Sequence, residues 1–320
     1  MKAAIYTQYG PPDVIQLTNL SKPYPKDDEL LIRVYASTVN RTDCGFRSAQ
    51  YFVSRFFSGL FKPKHQTLGS EFAGIVEQIG SSVSAFKVGD KVFGYNDITF
   101  GGNAEYIIVH KNDHIEFIPE GIRFEQAAPI TEGAHYALCN IRASGVKAGD
   151  HALVYGASGA IGSAAVQLLH YLGVHVTAVC NTKNVELLSF LGAGHVIDYQ
   201  NEDFTKTKTK FSFIFDAVGK SSFAQCSPLL TNNGIYVSTE LGKHGENVWK
   251  AVFHKLKKGK RILFPIPYMT KEIMTFLKNR VEDGSYLPVI DRQYDLVDIV
   301  EATKYVETGQ KTGNVVLNVF

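Results

Sequence analysis

The chain has 320 residues and a formal net charge of +2 with histidines neutral; 45% of its residues are hydrophobic and 20% charged. That length holds two domains with sizeable cores, and a charge so near zero leaves no electrostatic footprint for nucleic acid. The apolar runs are of strand length, too short to cross a bilayer, and the four cysteines, Cys44, Cys139, Cys180 and Cys226, lie far apart with no C-x-x-C pair, which argues against a disulfide framework.

In chain order, residues 1–6 enter a strand directly and lack the apolar stretch of a signal peptide, which predicts a cytosolic protein. The first 120 residues read as β-rich with frequent turns. Residues 29–36 alternate as a strand, 69–76 are glycine-punctuated and β-branched, 86–94 carry a turn at Gly89-Asp90, and 104–109 continue the pattern. Phe46, Tyr51, Phe52, Phe56, Phe57 and Phe61 crowd one segment, interleaved with Arg47, Arg55, Lys62 and Lys64. That segment is either an aromatic satellite core or an apolar wall rimmed by cations for a hydrophobic substrate; stacking of single-stranded nucleic acid is disfavoured by the charge. A helix is predicted from Glu125 past Leu138, followed by a turn at Gly149-Asp150.

The strongest signal follows. The run 153–162 is an apolar strand, then Gly156-Ala157-Ser158-Gly159-Ala160-Ile161-Gly162, then helix spacing through Ala165, Leu168, Leu169 and Leu172 to Gly173. Against G-x-G-x-x-G the match is Ala157-x-Gly159-x-x-Gly162, with alanine for the first glycine and Gly156 just before it. Gly159 lets a pyrophosphate approach the backbone, Gly162 lets helix and strand pack closely, and the free amides at the helix start attract the anion. Further strands at 174–180, 196–199, 211–217 and 234–239 alternate with helical stretches, which predicts an α/β, doubly wound parallel sheet. The second strand ends Cys180-Asn181-Thr182-Lys183, so the acidic residue that bonds the ribose hydroxyls in NAD sites is replaced by neutral Asn181. Lys183 is placed to meet a 2′-phosphate and Thr182 to add a hydroxyl, which predicts NADPH. The basic run His254 to Arg261, with Lys255, Lys257, Lys258 and Lys260, reads as a solvated turn and is the one place a polyanion could bind.

Together these motifs resemble the zinc-independent branch of the medium-chain dehydrogenase/reductase superfamily, close to the quinone oxidoreductases. The matching stretches are Val39-Asn40-Arg41-Thr42-Asp43, Leu68-Gly69-Ser70-Glu71-Phe72-Ala73-Gly74, 86–93, the glycine fingerprint, Leu191-Gly192-Ala193, Phe215-Asp216-Ala217-Val218-Gly219 and 311–317, in order over almost the whole chain. The resemblance implies a GroES-like β-rich catalytic domain (1–124), a Rossmann NADP-binding domain (125–265) and a tail (266–320) that completes the first. It places Tyr199 beside the 2′-phosphate, and Val218, Thr239, Asn314 and Thr131 at the cofactor. It also implies a homodimer.

Zinc-dependent relatives carry metal ligands where this chain has Asn40, Ser70 and Thr131. Neither amide nor hydroxyl suits zinc, and 92–110 has none of the cysteines of a structural zinc site. His65, His110, His114 and His135 do not form a ligand set, and Asp43 and Glu71 read as hydrogen-bonded structural carboxylates. Without a Lewis acid, reduction of a quinone or enone is easier than oxidation of an alcohol, because the resulting phenolate or enolate is a better anion that neutral donors stabilise. Asn40 is the first candidate donor, with Thr42 and Thr131 weaker, and Tyr51 is a proton donor if its loop closes; the segment 44–64 is expected to line the nicotinamide end. Reduction of carbonyls or enoyl thioesters remains open, as does a non-catalytic NADPH-binding protein like the lens members of the family. Partners are a small hydrophobic carbonyl or quinone, with no nucleic acid and no membrane.

Overall fold

A computed structural model describes residues 1–49, 55–254 and 258–320, without the side chain of Phe57. Tyr51, Phe52, Lys255 and Lys257 therefore lie outside the described residues. The chain forms two compact units: Met1–Glu132 with Thr270–Glu282 and Ile290–Phe320, and Gly133–Met269 with Asp283–Val289. The borders drawn from sequence at 124 and 265 thus fall at Glu132 and Met269, and 283–289 rejoins the second unit.

In the first unit β1 (Lys2–Ile5) pairs antiparallel with β2 (Gln16–Asn19). The main sheet is built on β3 (Glu29–Val39), which pairs antiparallel with β4 (Glu71–Ile79) and with β6 (Tyr106–His110). Strand β5 (Lys91–Tyr95) joins β4 to β7 (His114–Phe117). Leu30, Ile32, Val34, Phe72, Val76, Val92 and Ile107 form the core of this sheet. Helix α1 (Arg41–Ser48) leaves β3 at Asn40. It was not read from the sequence, although Asn40 and Asp43 form a capping box in which each side chain meets the other's backbone amide. Arg47 on α1 is buried and reaches the Gly10 carbonyl and the Glu307 carboxylate.

The helix expected from Glu125 past Leu138 is broken. Phe124–Ala127 is one short helix, Ala128–Ile130 a tight turn, and Glu132–Ser144 a second helix. Pro129 has no amide hydrogen to continue the ladder and sits at φ −85°, ψ 17°.

The second unit is the parallel sheet. Its strands are β8 (His151–Tyr155), β9 (His175–Cys180), β10 (His195–Asp198), β11 (Phe211–Asp216), β12 (Leu230–Ser238) and β13 (Arg261–Leu263), in spatial order β10-β9-β8-β11-β12-β13 among the described residues. Helix α2 (Ala160–Tyr171) follows the glycine turn. All four cysteines are buried and free.

The chain then returns to the first unit through α3 (Lys271–Glu282), which the sequence reading did not find, β14 (Ile290–Asp295), α4 (Ile299–Glu307) and β15 (Asn314–Asn318). Strand β15 lies antiparallel to β3, with Val315 opposite Val39, and so extends the first sheet. Among the described residues no helix is long and apolar enough to cross a membrane.

Gly162 shows how tightly the turn is drawn. A Cβ there would lie 2.3 Å from the Gly156 carbonyl oxygen and 2.7 Å from the Ala157 Cα. Both are backbone and cannot swing aside. Gly162→Ala is therefore expected to cost about 1–3 kcal/mol through overpacking, more than alanine's gain in helix propensity of about 1 kcal/mol. Thermal unfolding checks it: a lowered Tm is expected, and an unchanged Tm would contradict this packing.

Candidate functional site

The parallel register gathers the sequence-predicted cofactor residues at one edge of the sheet. Tyr155 lies opposite Val179 and Asp216, Cys180 opposite Asp198, and Asp216 opposite Ser238. The segments that follow these strands carry Gly156, Ser158 and Gly159, then Thr182 and Lys183, Tyr199, Val218 and Thr239. The sheet order changes direction between β8 and β11, and ligands of open parallel sheets bind at the carboxyl ends beside such a switch point.

The glycine turn fits a pyrophosphate. Gly156 takes φ +72°, and a Cβ there would strike Val218 at 2.5 Å. Gly159 caps α2 without any side-chain hydrogen bond, and a Cβ on it would meet only the Gly156 carbonyl at 3.7 Å. The first amides of α2, those of Ala160, Ile161 and Gly162, have no acceptor within the helix and no capping side chain. Open space in front of uncapped helix amides is the arrangement an anion needs. Val218 is held against this turn from the other side. Asp216, fully buried, accepts from the amides of Val218 at 3.1 Å, Gly219 at 2.8 Å and Ser221 at 2.8 Å. The loop that presents Val218 is thus organised by a carboxylate beneath it.

At the ribose end the structure alters the reading of Thr182. Its hydroxyl donates to Asp198 Oδ2 at 2.6 Å and lies 3.0 Å from Gln200 Oε1, so it is not offered to a phosphate. Asp198 also accepts from the Gln200 amide and Asn201 Nδ2, and the Thr182 hydrogen bond leads the causes that hold its carboxyl below the usual range. Asp198, at the end of β10, thus brings a carboxylate to the loop that follows β9. Lys183 is exposed, and Tyr199 is half-exposed with its amide bonded to the Cys180 carbonyl.

In the first unit the residues at the metal positions satisfy one another. Asn40 Oδ1 accepts from the Asp43 amide at 2.8 Å, and Asn40 Nδ2 donates to Ser70 Oγ at 2.9 Å. Its second amide hydrogen has no partner among the described residues. Thr131 gives both its amide (3.0 Å) and its hydroxyl (2.7 Å) to Glu71 Oε1, so its hydroxyl hydrogen is committed. This donor set does not suit zinc, and among the described residues no group of three His, Cys, Asp or Glu is placed to hold a metal. His110 instead meets Asp28, Nε2 to Oδ2 at 3.0 Å, and His114 starts β7. Asn314 is buried at the start of β15.

Beneath Asn40 lies a buried acidic network. Asp43 accepts from the Gly69 amide at 3.2 Å, and burial pushes its carboxyl up to about 7. Glu71 accepts also from Thr38 Oγ1 at 2.8 Å and from the Glu132 amide at 2.6 Å. Thr42 Oγ1 donates to Glu132 Oε1 at 2.6 Å. Burial, then the charges of Glu71 and Asp43, hold Glu132 well above the usual carboxylate range. Glu132 was not singled out in the sequence; its neighbour Thr131 was.

Next to α1 a cavity of about 490 Å³ is lined by Tyr6, Phe46, Phe56, Lys64, His65 and Phe100, among others. Phe46 packs edge-on to Phe100 at 5.1 Å, and Phe56 is 67% exposed. Of the aromatic segment, Phe46 is core-bound while Phe56 and Phe61 face outward. Phe46 follows Thr42 by one turn of α1 and shares its face.

Comparison with known proteins agrees with these parts. Residues 26–120 match the alcohol dehydrogenase GroES-like domain, and residues 191–317 a domain family described as zinc-binding dehydrogenase. The 2-methylene-furan-3-one reductase of Solanum lycopersicum is 31% identical over 332 residues, which cover 99% of this chain and 79% of that protein. The quinone oxidoreductase of Homo sapiens is 30% identical over 334 residues, 99% of this chain and 97% of that protein. The structure of the quinone oxidoreductase from Coxiella burnetii superposes with a TM-score of 0.89 at 28% identity, covering 100% of this chain and 99% of that one. With both domain types in order and relatives matched over nearly the full chain, the protein belongs to the medium-chain dehydrogenase/reductase superfamily, among its quinone-oxidoreductase-like members.

Proposed function

We propose that the protein is an NADPH-dependent reductase of quinones and α,β-unsaturated carbonyls that works by hydride transfer without zinc. The observation that carries this reading is the Asn40–Ser70 hydrogen bond at 2.9 Å where zinc-dependent relatives hold their metal. The fused chemistry of a Lewis acid and an alkoxide has no support there. Reduction of a conjugated carbonyl needs none, since the anion it leaves is delocalised and two or three neutral donors stabilise it. The name of the tomato relative describes such a substrate, an enone.

When bound, the nicotinamide supplies the hydride. The first-turn amides of α2 hold the pyrophosphate. Lys183 and Tyr199 receive the 2′-phosphate. The free hydrogen of the Asn40 amide is the donor for the substrate oxygen, and Thr42, whose hydroxyl is given to Glu132, is the second candidate. Phe46 and Phe100 offer an apolar wall on the α1 side, which suits a hydrophobic ring. A second reading, preference for NADH, draws on the Asp198 carboxylate bonded to Thr182, whose charge would repel a 2′-phosphate.

A spectrophotometric screen of NADPH oxidation with quinones, enones, aldehydes and enoyl thioesters tests the activity. Turnover with quinones or enones is expected; turnover confined to aldehydes or thioesters would move the substrate class, and cofactor binding without turnover on any of them would leave a binding protein. Elemental analysis is expected to find zinc far below one per chain, and a chelator to leave the rate unchanged. Loss of activity on chelation would overturn the metal-free mechanism. For the coenzyme, one charge-assisted contact is worth roughly 1.5–3 kcal/mol, so Lys183→Ala is expected to weaken NADPH by about tenfold or more while sparing NADH. Equal losses for both coenzymes would favour the second reading.

A further inference from the structure

Asp43, Glu71 and Glu132 meet in one buried network of the first unit, and its donors are shared unequally. Glu71 accepts on both oxygens, from Thr38, Thr131 and the Glu132 amide. Asp43 accepts backbone amides on both oxygens, from Gly69 and Asn40. Among the described residues the Glu132 carboxyl accepts a single hydrogen bond, from Thr42, and its Oε2 is buried with no hydrogen-bond partner. Hydrogen bonds to a carboxylate favour its charged form, and their lack disfavours it. Among the described residues Lys311 is a cation whose charge acts on Glu132, with Arg41 beside it, and its ammonium is directed to the Gly313 carbonyl. Of the three acids, Glu132 is the one built to keep its proton.

A protonated Glu132 changes the use of its contact with Thr42. With the proton on Oε1, the carboxyl donates to Thr42 Oγ1 across the same 2.6 Å. The hydroxyl hydrogen of Thr42 is then released to point elsewhere. Thr42 is half-buried, one turn before the cavity-lining Phe46.

We propose that Glu132 is the proton store of the site, its proton passing to Thr42 Oγ1 as the Thr42 hydroxyl hydrogen passes to the oxyanion of the reduced substrate. This rests on the reductase reading above. The balance closes for an enone. Hydride from the reduced nicotinamide forms a C–H bond at the β-carbon and shifts the π electrons onto oxygen. The enolate oxygen bonds the Thr42 hydrogen as that O–H breaks, and a new Thr42 O–H forms as the Glu132 O–H breaks. The products are an enol, which tautomerises to the ketone, and a Glu132 carboxylate.

Glu132→Gln keeps the shape and removes the proton. With a fixed enone near neutral pH, Glu132→Gln and Thr42→Val are each expected to lower kcat by about a hundredfold, the loss typical of a missing general acid. The double variant should lose no more than the worse single one, because the two act as one relay. Wild-type kcat should fall as pH rises through the raised Glu132 pKa, and Glu132→Gln should lack that limb. Stability gives a readout that needs no cofactor. A carboxyl raised in the folded state contributes stability that is fully present below its unfolded pKa and lost as pH rises to its folded value. The Tm of the wild type relative to Glu132→Gln should therefore decline as pH rises from the ordinary glutamate range through the raised Glu132 pKa. Parallel Tm curves, or a Glu132→Gln variant with wild-type kcat, would overturn the proposal. If Glu132→Gln does not fold, an unchanged kcat in Thr42→Val overturns it instead. A wild type that binds NADPH but turns over no enone or quinone would sink the reductase reading alone, since the Tm comparison still decides whether residue 132 holds a proton.

Discussion

Glu71 is fully buried, and four hydrogen bonds hold its charge instead of a cation. A bare carboxylate at that depth would cost on the order of several kcal/mol. Its donors come from two distant parts of the chain: Thr38 near the end of β3, and the Thr131–Glu132 pair after the Pro129 break. An unbroken helix through 125–138 would have turned the amides of Thr131 and Glu132 toward carbonyls one turn back. The break at Pro129 frees them for Glu71. The same carboxylate thereby ties β3, β4 and the start of the Glu132–Ser144 helix together, and it sits beneath Asn40 and Ser70. The packing of β3, β4 and that helix start depends on this carboxylate being satisfied.

The second unit obeys a different constraint. In a parallel sheet every strand ends on the same edge, so loops far apart in sequence leave side by side. Register then decides what faces what. Tyr155 opposite Asp216 brings the glycine turn and the Val218 loop together, and the absent Cβ of Gly156 is the space that Val218 fills. Asp216 fixes that loop by collecting its backbone amides on one buried carboxylate. Buried acids thus do similar work in both units: each gathers donors and sets the conformation of a segment at the site.

The loop that follows β9 and the end of β10 carry opposite charges. Lys183 is exposed, while Asp198 is clamped by Thr182, Gln200 and Asn201. The donors on Asp198 hold its charge in the loop, where its field opposes a phosphate and Lys183 favours one.

The sequence by itself determined the glycine turn between strand and helix, the alternation that makes a parallel sheet, and the absence of ligand-type residues at positions 40, 70 and 131. These are local facts of spacing and side-chain chemistry, legible without neighbours. Helix α1 was legible too, in the Asn40–Asp43 capping pattern, but α3 was not, because its apolar positions gain meaning only against the sheet it covers. The break at Pro129 could be suspected from one residue, yet its purpose could not. Only the tertiary structure decided that Thr182 spends its hydroxyl on Asp198, 16 residues on, and that Glu132 meets Thr42 across 90 residues while its other oxygen finds no partner among the described residues. A hydrogen bond between distant residues leaves no periodicity in the chain, and the lack of one leaves even less; both become visible only when folding has removed the water that would otherwise have served.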